Sequence, residues 1–272
     1  MEILKYLFMG VVQGLTEFLP VSSSGHLVIS ETFLGINPPG IFLEVALHFA
    51  SVIAIIIYLR KRLLSLISGL FKKDNRRNLS LNYLSAVVVS MIPAGCVALF
   101  IGDRVRALFE NPSAVGISLV FTAGIVLAIP LMNSKRGGRK KIIDSFGTAI
   151  IVGCVVGLFQ AIAMIPGISR SGSTIFAGVF IGLAVSDSAD FAFIISIPAI
   201  LGAVVMELGD TVKSVSDMNW LNLSIAFAFS LLTSLIALKW LYSTLKSGRV
   251  RYFGIYCLIM GIFVITYMAV FY

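Results

Sequence analysis

Two short polar stretches hold the residues that could do chemistry: QGLTEFLPVSSSGH, residues 13–26, and PGISRSGST, residues 166–174. The first offers a carboxylate at Glu17, a hydroxyl run at Ser22, Ser23 and Ser24, and an imidazole at His26; the second offers Arg170 among Ser169, Ser171, Ser173 and Thr174. Together these are parts for phosphoryl chemistry. A guanidinium is a forked donor matched to phosphate oxygens, and serine-rich helix starts present backbone N–H groups to an anion. A hydroxyl beside an imidazole makes a nucleophile and its base. Both stretches interrupt strongly apolar sequence, where a polar group costs free energy unless something satisfies it, so each reads as a functional site.

The elements around them must cross a membrane. Of 272 residues, 58% are hydrophobic and only 12% charged, with a mean hydropathy of +1.00, which excludes a soluble globular domain. Apolar runs of spanning length cover 41–59, 81–101, 114–132, 191–206, 221–242 and 252–271. Two further apolar regions, 3–35 and 146–184, are broken by Pro, Ser and Gly, with short second arms at 27–34 and 174–184. Broken segments of this kind suit re-entrant hairpins, whose irregular backbone is tolerated only where protein or a watery cavity surrounds it. The expected fold is therefore an all-α polytopic membrane protein of six transmembrane helices and two re-entrant helical hairpins. It forms one integral-membrane domain over 1–272, and its N-terminal segment, lacking a basic leader and a cleavage site, is expected to be retained.

The net charge of +8 is a topology signal. Arg60, Lys61, Arg62, Lys72, Lys73, Arg76 and Arg77 follow the first span, and Lys135, Arg136, Arg139, Lys140 and Lys141 follow the third, so both segments should be cytoplasmic. Charges scattered among short loops argue against a nucleic-acid partner. Threading the spans through these loops gives the two halves, about 1–135 and 140–272, opposite orientations, an inverted-topology repeat. Residues 10–26 align without gaps on 157–173, and Gly10, Gln13, Ser22, Ser24 and Gly25 recur as Gly157, Gln160, Ser169, Ser171 and Gly172. Where the copies differ, Glu17 faces Met164, Ser23 faces Arg170 and His26 faces Ser173. The repeat should bring the tips together as complementary halves of one site.

These two stretches, with MIPA at 91–94 and the span from Phe191 to Pro198, resemble the signature of the undecaprenyl-diphosphate phosphatases, also called the bacitracin-resistance family. The resemblance extends over essentially the whole chain. It implies hydrolysis of undecaprenyl diphosphate to the monophosphate and phosphate, recycling a lipid carrier for cell-wall synthesis. It further implies a multi-pass location in the cell membrane with the site open to the outer face. By the same resemblance Ser23 is the nucleophile, His26 its proton partner, Glu17 a base or cation ligand and Arg170 the phosphate clamp. Gln13, Ser22, Ser24, Ser169, Ser171, Ser173 and Thr174 are then candidate substrate-binding groups. The family's first motif begins with Glu or Gln; here it is Gln13, an amide that holds phosphate or water but cannot act as a base. Mg²⁺ or Ca²⁺ on Glu17 and Gln13 would neutralise a diphosphate, and no organic cofactor is expected. The expected partners are the polyprenyl diphosphate substrate and membrane lipids, with a homodimer left open.

Plainer readings apply elsewhere. His48 reads as a packing residue, Ser51, Ser196 and Ser234 as serines bonded back to their own helices, and Trp220 and Tyr252 as interface anchors. Glu31 and Glu44 are divided between a supporting hydrogen bond and an interfacial position. Cys96, Cys154 and Cys257 read as core thiols without metal-ligand spacing. A transporter or flippase for a phosphorylated lipid or anion is the alternative function, because inverted repeats and broken helices characterise that class. A second class of lipid phosphatases also carries SGH and SR, but needs a histidine where this chain has Phe176.

Overall fold

The computed structural model describes residues 2–34, 41–134, 142–211 and 219–271, and among these it contains helices and no strand. The first broken region is α1 (Glu2–Phe18) and α2 (Ser23–Leu34). Three spans follow, α3 (Ile41–Tyr58), α5 (Asn75–Ala107) and α6 (Pro112–Ser134), with α4 (Arg60–Leu70) between the first two. The second broken region is α7 (Phe146–Ile162) and α8 (Arg170–Ile181), followed by α9 (Val185–Thr211), α10 (Trp220–Lys246) and α11 (Arg251–Phe271).

Among the described residues five helices are each long and apolar enough to cross a bilayer: α5, α6, α9, α10 and α11. The sixth expected span, α3, reaches that length only together with α4, from which it is bent by 72°. The basic segment after α3, expected as a loop, is thus helical over Arg60–Leu70 before the chain turns into α5. The strongly basic stretch 135–141 lies outside the described residues. Pro93, Pro130 and Pro198 sit inside α5, α6 and α9, as spanning helices tolerate when neighbours re-satisfy the backbone.

Helix pairing follows an exchange between the halves. The first arm of each broken region lies on the second span of the other half: α1 packs on α10, and α7 packs on α5. The third spans, α6 and α11, pair with each other, as do the first spans, α3 and α9. Small residues permit the close crossings, since apolar lipid gives helices no hydrophobic reason to associate and packing must do it. Any side chain at Gly10 would collide with the Ala226 carbonyl of α10, and a Cβ at its repeat equivalent Gly157 would lie 2.7 Å from the Ser90 carbonyl oxygen of α5.

A polar tie joins four helices away from the tips. Tyr242 on α10 donates to Asp190 Oδ1 on α9 at 2.6 Å, Arg62 Nε of α4 lies 3.9 Å from Asp190 Oδ2, and the same guanidinium sits 5.3 Å above the Tyr83 ring of α5. Ser51 and Ser196 bond back to Leu47 and Ala192 as expected, whereas the buried Ser234 hydroxyl has no hydrogen-bond partner among the described residues. Of the cysteines only Cys257 is buried; Cys96 and Cys154 are exposed, which corrects their reading as core thiols.

Candidate active site

The first tip is built by a break that its sequence enforces. Pro20 has no N–H to continue α1, the chain tightens with Val21 N donating to Leu19 O at 2.7 Å, and Ser22 takes a left-handed φ of 70°. The Ser22 hydroxyl then caps α2, accepting from Gly25 N at 3.2 Å and lying 3.2 Å from Ser24 Oγ. The second tip repeats this. Gly167 supplies the positive φ of 90°, and a Cβ there would stand 2.6 Å from Val115 O. Ser169 caps α8 by accepting from Gly172 N at 3.1 Å, with Ser171 Oγ 3.2 Å away.

The tips meet, as the repeat led us to expect. Ser171 Oγ of the second donates to Leu19 O of the first at 3.2 Å, and Arg170 Nη2 donates to Glu17 Oε1. The other carboxylate oxygen, Glu17 Oε2, accepts from Ser23 Oγ at 2.7 Å and from Gln13 Nε2 at 3.0 Å. Glu17 is therefore the hub on which hydroxyl, amide and guanidinium converge. Its side chain is 2% exposed and that of Arg170 is 25% exposed. A carboxylate so deeply buried persists only with a cation and further donors around it, and this one has all three kinds. The guanidinium keeps further N–H donors beyond Nη2.

Three side chains of this cluster escaped the sequence reading. His48, read as a packing residue, lies with Nδ1 3.1 Å from Gln13 Nε2 and 3.8 Å from Glu17 Oε2. Because Gln13 Nε2 is a donor, His48 Nδ1 accepts. Thr122 on α6 fastens the second tip, donating to Gly167 O at 2.9 Å and accepting from Ser169 N at 3.0 Å. Tyr256 on α11 hydrogen-bonds His26 Nε2 at 2.6 Å. Nothing in the spacing of these residues announces a site; each arrives from a span distant in sequence.

The structure also redraws two expectations. His26 is not bonded to Ser23; its Nδ1 lies 2.7 Å from Ser22 O and its Nε2 meets Tyr256, so the hydroxyl acceptor beside Ser23 is Glu17. Several expected phosphate donors are spent on the fold. Ser22, Ser169 and Ser171 make the caps and tip contacts above, and Thr174 Oγ1 donates to Arg170 O at 2.8 Å. Ser173 is almost fully buried, with no hydrogen-bond partner among the described residues. Ser23, Ser24, His26 and Arg170 remain partly open. Among the described residues no three His, Cys, Asp or Glu side chains gather as a cation cage.

Comparison with known proteins identifies relatives over the whole length. A family described as bacitracin resistance protein BacA matches residues 6–263. An undecaprenyl-diphosphatase of Methanococcus vannielii is 36% identical over 268 residues, spanning 97% of this chain and 100% of the relative. One of Halothermothrix orenii is 36% identical over 273 residues, spanning 100% of both. A protein named undecaprenyl-diphosphatase 3 in Bacillus anthracis is 34% identical, spanning 98% of both.

Proposed function

The chain belongs to the bacitracin resistance protein BacA family, and from this premise we infer that it is an undecaprenyl-diphosphatase of the membrane. It hydrolyses undecaprenyl diphosphate to undecaprenyl phosphate and inorganic phosphate. This recycles a lipid carrier for cell-wall synthesis, with the bacitracin resistance for which the family is named. The observation that carries the assignment of roles is the Ser23–Glu17 hydrogen bond of 2.7 Å with Arg170 on the opposite carboxylate oxygen.

On this reading Ser23 Oγ attacks the terminal phosphorus and Glu17 Oε2 takes its proton. The bond from that phosphorus to the bridging oxygen breaks, and undecaprenyl phosphate departs. Water then attacks the phosphoserine, releasing phosphate and restoring Ser23. Arg170 offers its remaining N–H groups to the phosphoryl oxygens, which gather charge in the transition state. His26, held away from Ser23, serves the leaving phosphate. Among the described residues no closed metal cage forms. Glu17 and Gln13, whose Oε1 is buried without a hydrogen-bond partner, are the oxygen groups that would hold a divalent cation, and such a cation would neutralise phosphate charge.

The exchange of helix pairs supports the inverted orientation of the halves, and the basic turn after α4 marks the inner side, which puts both termini outside and the site open outward. Single cysteines at Lys73 and Asn111, in a chain whose native cysteines are serine, test this; external reagent should label position 111 and spare 73 in intact cells. Activity is tested by phosphate release from a long polyprenyl diphosphate by purified protein in detergent, with and without EDTA. Release lost in Arg170→Ala is expected. Equal, negligible release by both proteins would favour a transporter of a phosphorylated lipid.

A further inference from the structure

We propose that Tyr256 is a positioning residue for the reaction, fixing His26 by its Nε2 so that the imidazole and the phenol hydroxyl bonded to it stand as one unit beside the leaving phosphate. The inference rests on the phosphatase reading of this site and extends it to a span outside both motifs.

Two hydrogen bonds immobilise the ring. Its Nδ1 lies 2.7 Å from Ser22 O. A carbonyl oxygen only accepts, so Nδ1 carries a hydrogen whether the imidazole is neutral or charged. In the neutral ring the Nε2 lone pair must then accept from the Tyr256 hydroxyl, 2.6 Å away. The two ring planes lie within 13° of each other, with centroids 5.6 Å apart, so the phenol meets the imidazole edge to edge. If Nε2 gains a proton, the phenol hydroxyl rotates and accepts instead, so Tyr256 can hold both states of His26 without moving.

The neighbourhood is built for this task. The next residue on α11, Cys257, is buried and its thiol donates to Pro20 O at 3.5 Å, so successive residues of one helix grip the first tip at two points. The partner span α6 does the same for the second tip through Thr122. The paired third spans are therefore a cradle in which each tip has its own polar fastener. The left-handed Ser22, whose carbonyl orients Nδ1, places the imidazole at that fastener rather than at Ser23.

The test combines kinetics with a readout independent of activity. The chain has only two histidines, so ¹⁵N-histidine labelling in detergent gives two imidazoles, and His26→Ala identifies the signal of His26. Tyr256→Phe should shift the Nε2 resonance of His26 toward that of a free acceptor while Nδ1 stays protonated. The kcat should fall about tenfold, as loss of roughly 1.4 kcal/mol of positioning implies, with KM changed less than about twofold. In a double-mutant cycle Tyr256→Phe should add nothing further to His26→Ala. An unchanged His26 spectrum in Tyr256→Phe, or full additivity with His26→Ala, overturns the proposal. The spectral arm decides even if the wild-type protein releases no phosphate, an outcome that would overturn the phosphatase reading instead.

Discussion

At the first tip Ser22 caps α2 through the Gly25 amide, and at the second Ser169 caps α8 through the Gly172 amide; in both, the hydroxyl two residues on lies 3.2 Å from the cap. The capping residues that the two copies share, Ser22, Ser24 and Gly25 with Ser169, Ser171 and Gly172, are thus ones that fold the broken helices. Two residues that differ, Ser23 and Arg170, converge on Glu17 beside the shared Gln13. Glu17 replaces Met164, and Ser23, which donates to that carboxylate, stands where the other copy has Arg170, which bonds its second oxygen. The two tips share a capping pattern, and their differing residues put the carboxylate and the hydroxyl on one and the guanidinium on the other. Phosphoryl transfer needs both, because the group that accepts a proton and the group that offsets phosphate charge cannot be the same side chain.

The comparison is broken most severely at its hub. Glu17→Gln should lower kcat/KM about a thousandfold, within the range for removal of a general base. Adding Met164→Glu to that variant should restore nothing, because the carboxylate would then stand on the wrong tip; recovery of activity would show the tips to be interchangeable. Next in size is Arg170→Lys, which keeps the charge but loses the fork. It should cost about 2 kcal/mol in the transition state, roughly thirtyfold in rate, with little change in the thermal midpoint. Arg170→Ala should additionally destabilise the fold by about 3 kcal/mol, because the carboxylate of Glu17 stays buried alone. Gln13→Ala removes one donor to Glu17 and the link to His48, and should cost about tenfold in rate. Smallest in activity is Ser169→Ala. It should lower stability by about 1 kcal/mol as a lost cap while kcat falls less than about threefold, measured by detergent unfolding beside phosphate release. A cap variant as inactive as Glu17→Gln would end the division between scaffold and chemistry.

Much of this was legible in the sequence because hydropathy and punctuation are local. The spanning runs, the breaks at Pro20 and Pro166, and the gapless match of residues 10–26 on 157–173 all follow from neighbours along the chain. The charge of the segment after α3 was legible, but its helical form and the 72° bend at Leu59 depend on how α4 packs against α5. Glu17, Ser23, Gln13 and Arg170 do come together, whereas Ser23 bonds Glu17 and not His26. Ser23 stands close in sequence to both Glu17 and His26, and only the left-handed turn at Ser22 sends the imidazole away from it and toward Tyr256. His48, Thr122 and Tyr256 were missed for one reason. Each is a lone polar residue in a span, and its meaning comes from a partner on another helix.

The central claim is that Ser23, paired with Glu17, is the nucleophile whose phosphorylated form Arg170 stabilises. Rapid quenching of the wild-type protein during turnover of undecaprenyl diphosphate labelled in its terminal phosphate tests it most directly. The account predicts label covalently bound to the protein within the first turnover, at Ser23, and no bound label and no phosphate release in Ser23→Ala. Sustained phosphate release by Ser23→Ala at more than about a tenth of the wild-type rate, with no bound label in either protein, would contradict it and assign the attack to water.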